Sequence, residues 1–160
     1  MTSDVSYEQL EEQARALLEG ESDLIANAAN FAAFIAHELP LVNWAGFYFT
    51  TPSGELVLGP FCGRPACARI PAGRGVCGAA ASKLATLVVD DVDAFDDHIA
   101  CDAASRSEIV VPLFIGGEFA GVFDCDSPLH ARFTDVDRLG IESLVRAFIE
   151  SVRPPAASAR

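Results

Sequence analysis

The glycine pair Gly116-Gly117 lies between two largely apolar runs that read as strands, residues 108–115 and 118–126. Glycine adopts the positive φ angles of a tight two-residue turn without steric cost, so this pattern predicts a β-hairpin. It is the strongest hairpin signal in the chain. An antiparallel sheet is therefore the first structure that the sequence requires.

The rest of the chain follows the periods of helix and strand in turn. The predicted helices span residues 6–18, 22–38, 76–84 and 134–152, and the predicted strands span residues 42–50, 55–59, 67–70, 86–92, 108–115 and 118–126. Residues 93–107 follow neither period and are predicted to form a long loop, which in a compact domain is more often functional than idle. This order predicts an α+β fold with six antiparallel strands and the terminal helices packed on one side of the sheet.

A chain of 160 residues is most economically one domain with a single core. We assign residues 1–153 to that domain and residues 154–160, which begin with two prolines, to a flexible C-terminal tail. The N-terminus lacks the basic and apolar regions of a signal peptide, and no apolar run approaches the length of a membrane span. We therefore expect a cytoplasmic protein.

The charge of the chain excludes two classes of partner. The formal net charge is −12, and only 11 lysines and arginines are spread along the whole sequence. Binding to nucleic acid or to an anionic membrane surface requires clustered basic residues. We expect neither partner.

Five cysteines are the most reactive side chains in the sequence: Cys62, Cys67, Cys77, Cys101 and Cys125. In a reducing cytoplasm they are not expected to form permanent structural disulfides, so each is a buried thiol, a metal ligand or a reactive group. No two of them form the C-x2-C pair that is typical of a structural zinc site. Zinc is therefore disfavoured, and Cys62 and Cys125 are best explained as packing residues.

Cys77 and Cys101 are the candidates for a reactive thiol, because a thiol ionises more readily near a helix N-terminus or a cation. Cys77 is predicted to meet both conditions, since it lies in the first turn of a helix and close to Arg74. Cys101 follows His98 by three residues on the predicted loop, although Asp102 beside it opposes ionisation. Taken alone, either cysteine is better explained as a small buried core residue.

The acidic residues Glu108, Asp124 and Asp126 lie on the two strands of the predicted hairpin. Side chains alternate between the faces of a strand, so Asp124 and Asp126 share one face and Cys125 points to the other. Glu108, taken alone, would face water. If the three carboxylates converge, their repulsion makes at least one hold a proton and act as a general acid, while the others can receive an ammonium ion.

Two aromatic residues, Trp44 and Tyr48, lie four apart in the first hairpin and so share a face. Core packing explains them, and the apolar wall of a ligand pocket explains them equally well. The sequence leaves both explanations open.

Several stretches of the chain together resemble those of the free methionine-(R)-sulfoxide reductases, enzymes built on a GAF domain. The stretches are Asn43-Trp44-Ala45-Gly46-Phe47-Tyr48, Leu58-Gly59-Pro60-Phe61, Pro65-Ala66-Cys67, Gly73-Arg74-Gly75-Val76-Cys77-Gly78, His98-Ile99-Ala100-Cys101-Asp102, Ser107-Glu108-Ile109-Val110 and residues 124–128. The resemblance covers about residues 7–150. It is specific, because a generic GAF domain does not carry these cysteines and carboxylates as a set.

The resemblance implies a GAF fold, often as a homodimer, with a small pocket for free methionine sulfoxide of R configuration at sulfur. By this resemblance Cys101 is the nucleophile and Cys67 is the partner with which it forms a disulfide. Cys77 is similar to the third cysteine of the family, so which of Cys67 and Cys77 resolves Cys101 stays open. The implied substrate-binding residues are Trp44, Tyr48, Glu108, Asp124 and Asp126.

The implied reaction is the thiol-dependent reduction of free L-methionine-(R)-sulfoxide to L-methionine. Attack by Cys101 on a sulfur whose oxygen is protonated by a carboxyl group would release methionine and leave a sulfenic acid, which a second thiol converts to a disulfide. Thioredoxin, with NADPH as electron source, would reduce that disulfide. We expect no bound metal, flavin or nucleotide.

Two interpretations from other classes use the same residues differently. A GAF sensory module would bind a small ligand without turning it over, and a thiol-based redox sensor would use the cysteines without the acidic pocket. A sensory module is usually tethered to an output domain, for which a chain of 160 residues has no room. The reductase is therefore the main expectation.

Overall fold

The structure is a computed structural model that describes residues 4–99 and 103–153. The helices in these ranges are α1 (Tyr7–Leu18), α2 (Leu24–Glu38), α3 (Gly75–Lys83) and α4 (Asp135–Ser151). The strands are β1 (Trp44–Thr50), β2 (Leu56–Cys62), β3 (Arg69–Ile70), β4 (Leu87–Val89), β5 (Ser107–Ile115) and β6 (Glu118–Ser127). Cys101 and the predicted tail, residues 154–160, lie outside the described residues.

All six strands pair antiparallel in one sheet, in the order β3-β2-β1-β6-β5-β4. Strands β5 and β6 form the hairpin that the glycine pair predicts, and the φ angles of Gly116 and Gly117 are 61° and 81°. Positive φ at both positions is the conformation that such a turn requires. The predicted α+β class and six-stranded antiparallel sheet are confirmed.

The helices cover the two faces of the sheet unequally. Helices α1, α2 and α4 pack on one face, where the rings of Phe31, Phe47, Phe123 and Phe148 interlock. The centroids of Phe47 and Phe148 are 4.7 Å apart, and those of Phe31 and Phe123 are 5.2 Å apart. Helix α3 lies on the opposite face, against a smaller apolar cluster. The predicted packing of the terminal helices on one side of the sheet is confirmed.

Three of the four helices begin at a side chain that caps them. Ser6, Asp23 and Thr134 each accept a hydrogen bond from a backbone N–H in the first turn of the helix that follows. Such a cap satisfies one of the N–H groups that a helix start leaves without a partner. The residue at the same position of α3 is Arg74, whose side chain makes no capping hydrogen bond.

Strand β2 extends to Cys62, beyond the predicted end at residue 59. The extension includes Pro60, which lacks the N–H that a regular ladder uses. The register with β1 shifts at this point, so that Gly59 and Pro60 together oppose Phe47. A β-bulge of this kind accommodates the proline and lets the strand continue.

Strand β4 is shorter than the predicted strand 86–92. The carboxylate of Asp91 accepts a hydrogen bond from the N–H of Asp93 (3.0 Å), which turns the chain into a 3-10 turn at Val92–Ala94. Other predicted boundaries lie within two residues of the observed ones. None of the helices in the described ranges is long and apolar enough to cross a membrane.

Candidate functional site

The pairing of β6 with its two neighbours brings the three acidic residues to one face of the sheet. Asp126 lies between Trp44 of β1 and Glu108 of β5, and Asp124 shares its face because it lies two residues earlier on the same strand. Glu108, Asp124 and Asp126 all line one pocket between the sheet and α3. The structure therefore gathers the carboxylates that the hairpin pattern points to.

Glu108 is buried, so the expectation that it faces water when considered alone is wrong. Glu108 and Asp124 are each 6% exposed. Helix α3 covers them, and the Sγ atom of Cys77 lies 3.9 Å from Oε1 of Glu108. A carboxylate removed from water in this way needs a proton, a hydrogen bond or a cation to offset its lost hydration.

The two buried acids differ in how firmly each holds a proton. Burial raises the pKa of Asp124 well above its usual value, and the negative charges of Asp126 and Glu108 raise it further. Burial also raises the pKa of Glu108, but a hydrogen bond with Asp124 and the charge of His98 oppose that rise. The proton shared by this pair is therefore favoured on Asp124 over Glu108, which makes Asp124 the better proton donor of the two.

Trp44 and Tyr48 form an aromatic wall of the same pocket. Their ring centroids are 6.1 Å apart with an angle of 24° between the ring planes. The Nε1 atom of Trp44 donates to the carbonyl oxygen of Arg64 (3.1 Å), and the hydroxyl of Tyr48 donates to that of Cys67 (2.9 Å). These two hydrogen bonds hold the segment that carries Cys67 against the wall.

Cys77 lies in the first turn of α3, as predicted, but its surroundings do not favour ionisation. Burial raises the pKa of the Cys77 thiol well above its usual value, and the carboxyl groups of Asp124 and Glu108 raise it further. Arg74 does not offset this effect, because its Nε donates to Oδ2 of Asp97 (2.6 Å). The prediction that a helix N-terminus and a cation activate this thiol is therefore wrong.

The other described cysteines fall into separate environments. Cys67 is disulfide-bonded, whereas Cys62, Cys77 and Cys125 are free thiols. Cys125 is fully buried on the face of the sheet that α1, α2 and α4 cover. It points away from the pocket, as the strand period predicts. Cys62 is half-buried at the end of β2.

Asp97 supplies the cap that α3 does not have of its own. Its Oδ2 accepts a hydrogen bond from the N–H of Gly75 (3.4 Å) as well as from Arg74. Gly75 has a φ of +65°, and a Cβ there would lie 3.2 Å from the side chain of Ile99, so this position favours glycine on two grounds. Residues 97–99 are thereby attached to the start of α3.

The sequence reasoning did not assign several pocket residues. His98, Ile99 and Ser105 line the pocket, together with Gly75 and Ile70. The positions of His98 and Ile99 follow from the attachment of residues 97–99 to α3, which is a contact between distant parts of the chain. The sequence signal for His98 and Ile99 was the run His98-Ile99-Ala100-Cys101-Asp102, which is one of the stretches that resemble the reductases.

A search of protein families matches residues 23–151 to the GAF domain. The free methionine-R-sulfoxide reductase of Escherichia coli is 48% identical over 139 residues, which cover 87% of this chain and 84% of the relative. The extent of the match leaves only the ends of both chains outside the comparison.

Solved structures agree with that match. The fRMsr of Staphylococcus aureus in its reduced form is 44% identical with a TM-score of 0.90, covering 96% of this chain and 100% of the other. The free methionine-R-sulfoxide reductase of Neisseria meningitidis, solved in complex with its substrate, is 44% identical with a TM-score of 0.87, covering 94% of this chain and 93% of the other.

Proposed function

The chain belongs to the free methionine-R-sulfoxide reductases, a family built on the GAF domain, and we propose that it reduces free L-methionine-(R)-sulfoxide to L-methionine. The observation that carries this proposal is a pocket in which the buried acids Asp124 and Glu108 and an aromatic wall lie beside the segment of Cys67. Reduction of a sulfoxide by thiols requires an acid for the oxygen and two sulfur atoms to supply the electrons.

The carboxylates of Glu108 and Asp126 are the proposed partners of the substrate ammonium group. Trp44 and Tyr48 offer an apolar surface to the side chain that carries the sulfoxide. A buried carboxylate that pairs with an ammonium ion is left unpaired by a methionine sulfoxide inside a peptide. This cost gives a physical reason for preferring the free amino acid.

Asp124 is the proposed general acid. The sulfur of a sulfoxide accepts a nucleophile only when its oxygen is protonated or strongly hydrogen-bonded, and the raised pKa of Asp124 favours the protonated form that can supply this proton. Once Asp124 has given up this proton, its negative charge lies beside Glu108 and Asp126, which favours reprotonation before the next turnover.

Cys101 is the proposed nucleophile and Cys67 the proposed resolving cysteine. The Cys101 thiolate attacks the substrate sulfur while the sulfoxide oxygen takes a proton from Asp124. That oxygen then passes from the methionine sulfur to the Cys101 sulfur as the transient S–S bond breaks, so that methionine leaves with the electron pair and Cys101 becomes a sulfenic acid. The Cys67 thiol then attacks that sulfur, which forms the Cys67–Cys101 disulfide and releases water. A thioredoxin dithiol, itself reduced with NADPH, reduces this disulfide and is oxidised in turn.

Cys67 is preferred to Cys77 for the resolving step on two observations. Cys67 is disulfide-bonded, and none of the other described cysteines is its partner, because Cys62, Cys77 and Cys125 are free. Burial, and after it the carboxyl groups of Asp124 and Glu108, raise the pKa of the Cys77 thiol, which makes it a poorer nucleophile.

We also propose that the enzyme acts in the cytoplasm as a homodimer. Light scattering of the purified protein would test the dimer.

The test of the proposal is thioredoxin-coupled NADPH oxidation with free methionine-(R)-sulfoxide as substrate. We expect turnover with this substrate and none above background with the S epimer or with a peptide-bound sulfoxide. Cys101→Ser is expected to abolish turnover. Cys125→Ala is the matched control and should retain it, since Cys125 lies on the opposite face of the sheet.

Three results of that assay would contradict the proposal. Full turnover by Cys101→Ser would remove the assigned nucleophile, and equal use of both epimers would remove the pocket as the source of selectivity. Tight binding of the sulfoxide without turnover would favour the sensory module instead. Mass mapping of the disulfide after one equivalent of substrate would separate Cys67 from Cys77.

A further inference from the structure

The pocket brings one sulfur and two carboxylate oxygens close together. The Sγ atom of Cys77 and one oxygen from each of Glu108 and Asp124 all lie within 4.8 Å of one another. These atoms come from three different elements, α3, β5 and β6, and all three side chains are buried. We propose that the substrate-free pocket binds one zinc ion through Cys77, Glu108 and Asp124, and that this ion excludes the substrate.

The spacing of the donors suits a single ion. The Sγ atom of Cys77 lies 3.9 Å from Oε1 of Glu108. Zinc binds a thiolate sulfur at about 2.3 Å and a carboxylate oxygen at about 2.0–2.2 Å, so an ion between these two atoms reaches both. The two residues can therefore share an ion without displacement of the sheet or of α3.

A second observation points to a ligand at the same place. The Oδ1 atom of Asp124 is buried and has no hydrogen-bond partner within the described ranges. Buried polar atoms are almost always paired, because an unpaired one keeps the full cost of its lost hydration. This oxygen belongs to a pocket-lining residue that is 6% exposed, so a ligand in the pocket is the available partner.

The donor set selects the kind of cation. Calcium and magnesium take six or more oxygen ligands, whereas zinc accepts a mixed set of sulfur and oxygen with about four ligands in all. Three protein donors leave the fourth position to water. The ion displaces the protons of the Cys77 thiol and the Asp124 carboxyl, which pass to solvent.

Zinc and the substrate compete for the same carboxylates. The substrate ammonium and the ion both require Glu108, so binding of either one excludes the other. This inhibitory consequence rests on the proposed function, whereas the binding of zinc does not. The two claims can therefore fail separately.

The experiment is a calorimetric titration of zinc chloride into the disulfide form of the protein, in which Cys67 is not available as a ligand. We expect one equivalent to bind, and Cys77→Ser and Asp124→Asn to weaken its affinity at least tenfold. Cys62→Ser and Cys125→Ala are the matched controls, because both remove a free thiol outside the site. Both controls should bind zinc as the unaltered protein does.

Cobalt supplies a readout that a folding defect does not imitate. Cobalt bound to a thiolate shows a sulfur-to-metal charge-transfer band, which we expect in the unaltered protein and in Cys125→Ala but not in Cys77→Ser. Equal zinc affinity in Cys77→Ser, or no charge-transfer band in the unaltered protein, would overturn the inference.

Free methionine should raise the apparent Kd for zinc, and an unchanged Kd would overturn the claim that the two ligands share the site. Normal sulfoxide reduction without zinc binding would overturn only the metal site.

Discussion

The two faces of β6 place neighbouring residues in opposite kinds of buried environment. Phe123 and Cys125 point into the apolar core beneath α1, α2 and α4, whereas Asp124 and Asp126 line the pocket beneath α3. Burial of apolar surface stabilises the fold, while burial of a carboxyl group opposes it unless the group is paired or protonated. One face of the strand therefore supplies stability, and the other uses part of it to hold reactive groups away from water.

Two buried cysteines show that equal burial can come with different neighbours. Burial is the main reason that the pKa of Cys77 and that of Cys125 are both raised. They differ in their neighbours, because Cys77 lies beside Glu108 in the pocket and Cys125 lies among apolar side chains. The two faces therefore differ in the side chains that contact each thiol: a carboxyl group for Cys77 and apolar groups for Cys125.

Among substitutions on the two faces of β6, the largest expected effect is on activity and comes from Asp124→Asn. An amide of nearly the same shape cannot supply an acidic proton, so kcat/KM should fall by about 10²–10⁴-fold. The free energy of unfolding at neutral pH should stay the same or increase, because the substitution removes a buried ionisable group. The coupled assay and urea unfolding measure the two quantities, and a loss of activity below tenfold would remove Asp124 as the general acid.

Substitution of Phe123, the residue before Asp124, should instead lower stability much more than activity. The ring of Phe123 packs at 5.2 Å from the rings of both Phe31 and Phe47. Phe123→Ala should therefore cost about 3–5 kcal/mol of the free energy of unfolding. Activity per folded molecule should change far less than in Asp124→Asn. Denaturant unfolding measures the loss, and a cost below about 1 kcal/mol would argue that this face is not the main source of stability.

The pH dependence of stability should differ in sign between two aspartates on opposite sides of the sheet. The pKa of Asp124 is higher in the folded protein than in the unfolded chain. At pH values between these two pKa values, the folded protein therefore binds more protons. Stability due to this group is therefore present at low pH and is lost as the pH rises through that window. Asp124→Asn should flatten this loss in urea unfolding measured from pH 4 upward.

Asp137 at the start of α4 is the opposite case. Burial would raise its pKa, but hydrogen bonds from Tyr7 and Thr134, together with the charge of Arg132, lower it. Its contribution to stability is present above the unfolded pKa and is lost as the pH falls through the folded pKa. Asp137→Asn should reduce stability at pH 7 by about 1.5–3 kcal/mol, and the difference from the unaltered protein should shrink on acidification. The same slope in both variants would contradict the assignment of the two groups.

The smallest expected effect is that of Tyr48→Phe. The ring remains in the wall, and only the hydrogen bond to the carbonyl oxygen of Cys67 (2.9 Å) is removed. The free energy of unfolding should fall by about 0.5–1.5 kcal/mol. Amide hydrogen exchange should become faster in the segment around Cys67 and stay unchanged around Phe47. Exchange that accelerates equally at both places would show a global effect instead.

Local patterns were enough to predict the hairpin and the face on which each of its side chains lies. The positive φ at Gly116 and Gly117 and the period of two in β6 depend only on neighbours in the sequence. The bulge at Pro60 was missed because it depends on the register with β1. Such a register is set between strands, not within one.

The state of the site depends on contacts that link distant residues. Arg74 was expected to activate Cys77, but Asp97, 23 residues away in sequence, binds it instead. Glu108, taken alone, was expected to face water, but the packing of α3 on the sheet buries it. The sequence motifs pointed to residues that line the pocket, whereas the shifts in their pKa values required the tertiary structure.

The carboxylate of Asp97 completes the first turn of α3 from outside that helix. A ligand that displaces residues 97–99 must therefore leave the N–H of Gly75 without its acceptor. A substitution that weakens this contact lowers the cost of that displacement and so raises the affinity for such a ligand. Through Asp97, the strength of the cap on α3 becomes one of the terms that set which ligands the pocket can accept.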